Sequence, residues 1–141
     1  MPKEEKMLIP SYVLMQKLGE SPQAIVYKAF HKKNPQKILV LKVLKTGYLS
    51  EHLRLYFQQK TEHLKVLNDT LLIRPCSFEA KEGVYFITRG YFEGIPINEW
   101  ARTQAKISLN DFFIISCLLA QVINKVHEAG IIHGGIKPHN I

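Results

Sequence analysis

The sequence predicts an α+β domain: three antiparallel strands, a helix, two further strand candidates, then two more helices. Three observations carry this expectation. Short β-prone runs divided by turn residues fill the first third of the chain. A helical period takes over near residue 49, and one long apolar helix dominates the last third. The expected order is β-β-β-α-β-β-α-α.

Residues 12–18, YVLMQKL, are apolar and β-prone and run into Gly19, which marks a strand and its turn. Residues 24–30, AIVYKAF, read as its neighbour, and HKKNPQK, with Asn34 and Pro35, as a polar turn. Residues 38–44, ILVLKVL, form a near-continuous apolar run broken only by Lys42, as a central strand would. Between 49 and 67, Leu53, Phe57, Leu64 and Leu67 recur at near-helical spacing; Ser50 can cap the start, and Asn68 and Asp69 end it. Residues 71–78 and 84–88 are strand candidates on either side of the turn-like EAKEG. Gly94 and Pro96 then bend the chain into a short helix near 98–102.

The long helix, 109–129, is capped by Ser108 and stopped by Gly130. Phe112, Ile115, Leu119, Val122, Ile123 and Val126 form one stripe. Phe113, Ile114, Cys117 and Leu118 widen the apolar surface well beyond one face, so the helix expects neighbours on several sides.

At 141 residues and 46% apolar the chain fits one domain with a packed core. Its 19 basic and 12 acidic side chains leave a net charge of +7. The lysines are scattered, the longest basic run is Lys32 with Lys33, and neither an aromatic-plus-basic platform nor zinc-finger spacing is present. A solvated basic surface is the expectation; a nucleic-acid-binding protein is a remote alternative resting on charge alone. Cys76 and Cys117 lie far apart without C-x-x-C spacing and read as reduced, buried thiols. The N-terminus lacks a signal-peptide core, and the apolar run 112–123 reads as too short to span a bilayer. A cytoplasmic location without a membrane is expected.

Five local patterns recur in a set order. LGESPQAIVYKA (18–29) follows a glycine-rich loop, G-x-G-x-x-G-x-V, at Gly19 and Val26, with Ser21 and Ala24 in place of the second and third glycines. LVLK (39–42) follows V-A-I-K, with Val40 for the alanine. EHLKVLND (62–69) follows the part of a C helix that carries a glutamate, and YFITRGYFEG (85–94) a last strand and hinge. NKVHEAGIIHGGIKPHNI (124–141) ends in H-x-x-x-K-P-x-N. Together they resemble the eukaryotic-type serine/threonine protein kinase family. The resemblance implies a kinase-like small lobe, a five-stranded sheet plus C helix, over about residues 12–90. Residues 91–141 would hold the hinge, a short D-like helix, a long E-like helix and a catalytic-loop remnant.

Phosphoryl transfer by such a fold is mainly positioning and charge neutralisation around ATP and magnesium. By resemblance Lys42 bridges the ATP phosphates and Glu62, while Gly19, Ser21, Ala24 and Val26 cover the nucleotide. Pro22 stiffens that loop and removes one N–H donor. Val40 takes the roof of the adenine pocket and Thr88 its gatekeeper position, with the hinge over 89–94 open to a slip of one residue. The plainer alternatives are a simple hairpin turn, a lysine whose stem is buried and whose head reaches solvent, and a surface glutamate.

In the loop, Gly135 stands where the resemblance implies the aspartate base, and Gly134 where it implies an arginine. Lys137 retains a γ-phosphate-facing role, Asn140 a magnesium-ligating one, and His133 a backbone-bracing one. His127, His133 and His139 recur every sixth residue, which suits no helix or strand face and argues against a metal site. The 141 residues contain no D-F-G, so the sequence reads as a truncated domain. The apolar helix 109–129 is expected to meet a protein partner or a second copy. The functional expectation is a kinase-like module binding ATP and Mg²⁺, catalytically impaired. The alternative is a non-enzymatic pseudokinase serving as a regulatory or protein-interaction module.

Overall fold

The computed structural model describes residues 9–45, 49–67, 69–73, 75–81 and 83–141. The chain divides into two compact units, one formed by Met1–Lys65 and Arg74–Tyr91, the other by Val66–Ile73 and Phe92–Ile141.

The first unit is an antiparallel sheet with one helix. Its elements are β1 (Tyr12–Glu20), β2 (Ala24–His31), β3 (Asn34–Leu44), α1 (Glu51–Lys65), β4 (Pro75–Lys81) and β5 (Val84–Gly90). The strand order is β1-β2-β3-β5-β4. β3 starts at Asn34, so the chain reverses at Lys32 and Lys33, and Pro35, expected in a turn, opens the strand. Proline is tolerated there because a strand's first residues need no ladder donor. α1 begins where expected: Ser50 Oγ accepts the Leu53 N–H at 3.3 Å.

β1 and β4 lie at opposite edges, about 19 Å apart if the four ladder spacings were flat. Yet Tyr12 Oη donates to Glu79 Oε1 at 3.0 Å, and Lys81 Nζ donates to Ser11 Oγ at 2.7 Å. The sheet is therefore curled, and its concave face is the core. Ile9, Ala29, Leu41, Val43 and Phe86 fill it, with Tyr12, Leu14, Tyr27, Leu39 and Val84 packed around them. Strand alternation leaves Val26, Lys28, Val40, Lys42, Ile87 and Arg89 on the convex face. α1 covers one end of that face, where Phe57 stacks on Phe78 and Phe78 on Tyr85, with centroids 6.0 and 6.2 Å apart.

The second unit holds α2 (Ile97–Thr103), α3 (Leu109–Glu128) and a 3₁₀ turn at Pro138–Asn140. Ser108 caps α3, accepting the Asp111 N–H at 3.0 Å. Its C-terminus is a Schellman motif: Gly130 N–H bonds His127 O at 2.8 Å, and Ile131 N–H bonds Val126 O at 3.1 Å. Gly130 sits at φ +71°, which only glycine adopts cheaply, and Val126 and Ile131 are both buried. An ion pair between Lys125 and Asp69 ties α3 to the segment 66–73.

Two sequence expectations need correction. Cys76 and Cys117 are exposed, not buried; Cys76 lies where a register irregularity between Pro75 and Ser77 interrupts the pairing of β4 with β5. α3 runs 20 residues and contains an 18-residue stretch with a mean hydropathy of 1.4, long and apolar enough to cross a membrane by length and composition. The shortness of the run 112–123 therefore does not exclude it. Only Val122 and Val126 of this helix are buried; Leu109, Phe112, Phe113, Ile114 and Leu118 are exposed.

Candidate functional site

The β1–β2 turn closes on itself. Ser21 N–H donates to Ala24 O at 2.8 Å, and Ala24 N–H donates to Ser21 Oγ at 3.1 Å. Pro22 has no N–H, so Gln23 alone keeps a backbone donor at the tip. A phosphate cradle needs several such donors aimed outward. A methyl group at Gly19 would meet no atom within 4 Å, so close packing does not demand glycine there. Beside the turn, Glu20 takes hydrogen bonds from Lys17 and Lys45, which hold its pKa down at about 2.

Register settles which side chains share a face. Val40 lies opposite Lys28 on β2 and Arg89 on β5; Lys42 lies opposite Val26 and Ile87. Thr88 lies opposite Leu41, on the concave face. It is 4% exposed and its hydroxyl is 2.7 Å from that of Ser77. The structure thus separates Thr88 from Val40 and Lys42 and sets Arg89 on their face. Strand alternation carried that information, since an odd residue sum pairs β3 with β5. Burial lowers the Arg89 guanidinium's pKa from its usual value.

Lys42 and Glu62 are not brought together. On α1 the residue turned inward is Thr61, 4% exposed. Glu62 follows at a helical step of about 100° and faces solvent. Its carboxylate instead accepts from Lys65 Nζ at 2.6 Å. Lys42 itself is exposed.

In the second unit the loop after α3 is held by its own side chains. His133 Nδ1 accepts the Gly135 N–H at 3.2 Å, bracing the backbone as the sequence implied. Asn140 Nδ2 donates to Gly135 O at 2.7 Å, and Asn140 N–H to Lys137 O at 2.8 Å across the 3₁₀ turn. Gly134 has φ +65°, whereas Gly135 has no such conformation. A Cβ at Gly135 would lie 3.8 Å from both Asn140 Nδ2 and a His133 ring carbon, ordinary contact distances. Position 135 accommodates a side chain and lacks one. Lys137, with an extended backbone, and Asn140 are both exposed.

Among the described residues no group of three or more His, Cys, Asp or Glu could hold a metal. Magnesium is ordinarily held by one or two carboxylates together with phosphates. The loop offers one neutral amide oxygen, Asn140 Oδ1, which does not complete a magnesium site.

Superposition on solved structures decides the fold. The crystallised kinase domain of PknI from Mycobacterium tuberculosis matches 93% of this chain with a TM-score of 0.75 at 24% identity. The fold is that of a protein kinase domain, from the small lobe into the catalytic loop. That kinase-fold match takes in 54% of the PknI chain. Curated relatives agree: serine/threonine-protein kinase ULK3 of Xenopus laevis is 24% identical over 133 residues, 94% of this chain. Serine/threonine-protein kinase pkn3 of Myxococcus xanthus is 29% identical over 131 residues, and a probable serine/threonine-protein kinase of Clostridium perfringens 24% over 137. The chain spans 28%, 23% and 20% of those three relatives' lengths. No protein-family model matches it.

Proposed function

We propose that the chain is a kinase-like nucleotide-binding module, related to serine/threonine protein kinases, that transfers phosphate poorly or not at all. The observation that carries this is Gly135. It lies in a loop whose Asn140 and His133 still hold their bonds to it, yet it offers no carboxylate to orient an acceptor hydroxyl and take its proton. Lys137 keeps the residue type suited to a γ-phosphate, with hydroxyl groups on protein as the acceptor class. The test is transfer of labelled γ-phosphate to protein by the purified chain, beside Gly135→Asp. No transfer by the natural sequence is expected; transfer clearly above a Lys42→Met control overturns the reading.

A second reading, a non-enzymatic pseudokinase acting through protein interaction, has its own support. The β1–β2 turn spends its N–H donors internally, and Glu62 pairs with Lys65 in place of Lys42. Thermal-shift titration with ATP, with and without magnesium, separates the two, because a ligand of the folded state raises stability by RT ln(1 + [L]/Kd). No shift from an intact fold favours the interaction module. Its contact surface would be the exposed face of α3, and we propose self-association there, in a cytoplasmic protein.

A further inference from the structure

We propose that a cavity beside α3 binds a small apolar amine, its carbon body on the cavity floor and its ammonium group on Glu128. The cavity lies wholly within the second unit, between the C-terminal half of α3 and the segment Val66–Ile73, and its volume is about 330 Å³. Val66, Leu67, Leu72, Val122 and Ala129 supply an apolar lining, with Asp69, Lys125 and Glu128 as the polar groups. Ligand sites are built this way, mostly apolar with a few polar groups that fix orientation, and this volume lies at the lower end of their range. Water takes about 30 Å³ per molecule, so the space suits a ligand of roughly ten non-hydrogen atoms. The lining stands open to water: Val66 is 79% exposed and Leu72 half-buried, so covering them is favourable.

Charge selects the ligand's head. Lys125 is committed to Asp69, whose other carboxylate oxygen accepts the Leu71 N–H at 2.8 Å, so this pair is neutral and internally held. Glu128 has one hydrogen bond, taken by Oε1 from Asn124 Nδ2 at 2.8 Å, and among the described residues no ion pair. It is also the last residue of α3, where the negative end of the helix dipole raises the energy of a carboxylate. The cavity therefore keeps one uncompensated negative charge in a field that is itself negative. An ammonium group gains from both, through a charged hydrogen bond and through the dipole, whereas an anion is repelled. No residue of this cavity belongs to the β1–β2 turn or to the loop around Gly135, so the site needs no nucleotide and goes beyond the kinase-like reading.

Phenethylamine, 2-phenylethanol and phenylacetate are close in size and differ in the charge of one end. Titrating each into the whole chain at neutral pH and about 0.15 M salt, with amide NMR shifts as the readout, tests the proposal. Phenethylamine should saturate with a Kd on the order of a millimolar, as suits so few atoms, and move amides within 66–72 and 122–130. 2-Phenylethanol should bind about tenfold more weakly, the scale of one charged hydrogen bond, and phenylacetate not measurably. Glu128→Gln should weaken phenethylamine about tenfold and leave 2-phenylethanol unchanged, while Glu99→Gln on α2 should alter neither. Ala129→Leu should exclude both ligands by filling the cavity; if that variant fails to fold, Glu128→Gln, at an exposed position, carries the test. Equal affinity for the amine and the alcohol, or an unchanged amine affinity in Glu128→Gln, overturns the inference. Preference for phenylacetate overturns it too, since Lys125 would then be the anchor, as does the absence of saturable shifts at these residues with every probe.

Discussion

Two adjacent glycines in the loop after α3 carry different physics. Gly134 is held at φ +65°, where a Cβ collides with the following carbonyl at a cost of about 1–2 kcal/mol. Gly135 is not so held, and an added Cβ meets its nearest neighbours at 3.8 Å. Gly134→Ala should therefore destabilise the fold by about 1 kcal/mol. Gly135→Ala should be neutral or stabilising by about 0.4–1 kcal/mol, because alanine narrows the unfolded ensemble. Urea melts of the two variants check this; equal losses would mean that both positions need glycine. The result bears on function, since a tolerant position 135 identifies the missing carboxylate as a chemical change and not a steric necessity.

At the scale of elements, the curled sheet carries a half-buried polar chain along its concave face: Tyr12 to Glu79, Glu79 to Ser77, Ser77 to Thr88. Burial and the adjacent carboxylate both penalise the Tyr12 phenolate, pushing its pKa well above the ordinary tyrosine value. A raised folded-state pKa gives stability that is complete below the unfolded pKa, near 10, and is lost as pH climbs beyond it. Tyr12 should thus ionise after the other tyrosines in an ultraviolet titration, and melting temperature should fall above about pH 10. Tyr12→Phe should show a smaller alkaline fall. Thr88's membership of this chain also explains what was legible in the sequence. Element order, the Ser50 and Ser108 caps and the Gly130 stop follow from local periodicity and capping chemistry, which act within a few residues. The catalytic-loop residues could be placed because their spacing is contiguous. Thr88, Arg89 and the Lys42–Glu62 pair depended on strand register and helix rotation, where one residue moves a side chain to another face.

At the scale of the whole molecule, α3 is the feature without an internal account. Its twenty residues bury only Val122 and Val126, and leave Leu109, Phe112, Phe113, Ile114 and Leu118 open. Each large apolar side chain left in water forgoes about 1.5–3 kcal/mol of burial, so a surface of this kind gains strongly from being covered. Phe112 and Phe113 also meet edge-to-face, 5.6 Å between centroids, forming a compact aromatic knob near the helix start. If a second copy covers that surface, light scattering should give a mass above that of one chain at micromolar concentration, falling on dilution. Phe112→Lys, at an exposed position near the capped N-terminus of α3, should leave the fold's melt nearly unchanged while dissociating the assembly. A monomer at every concentration would remove self-association. Partition of the natural sequence, but not of Phe112→Lys, onto lipid vesicles would assign the same face to a membrane surface.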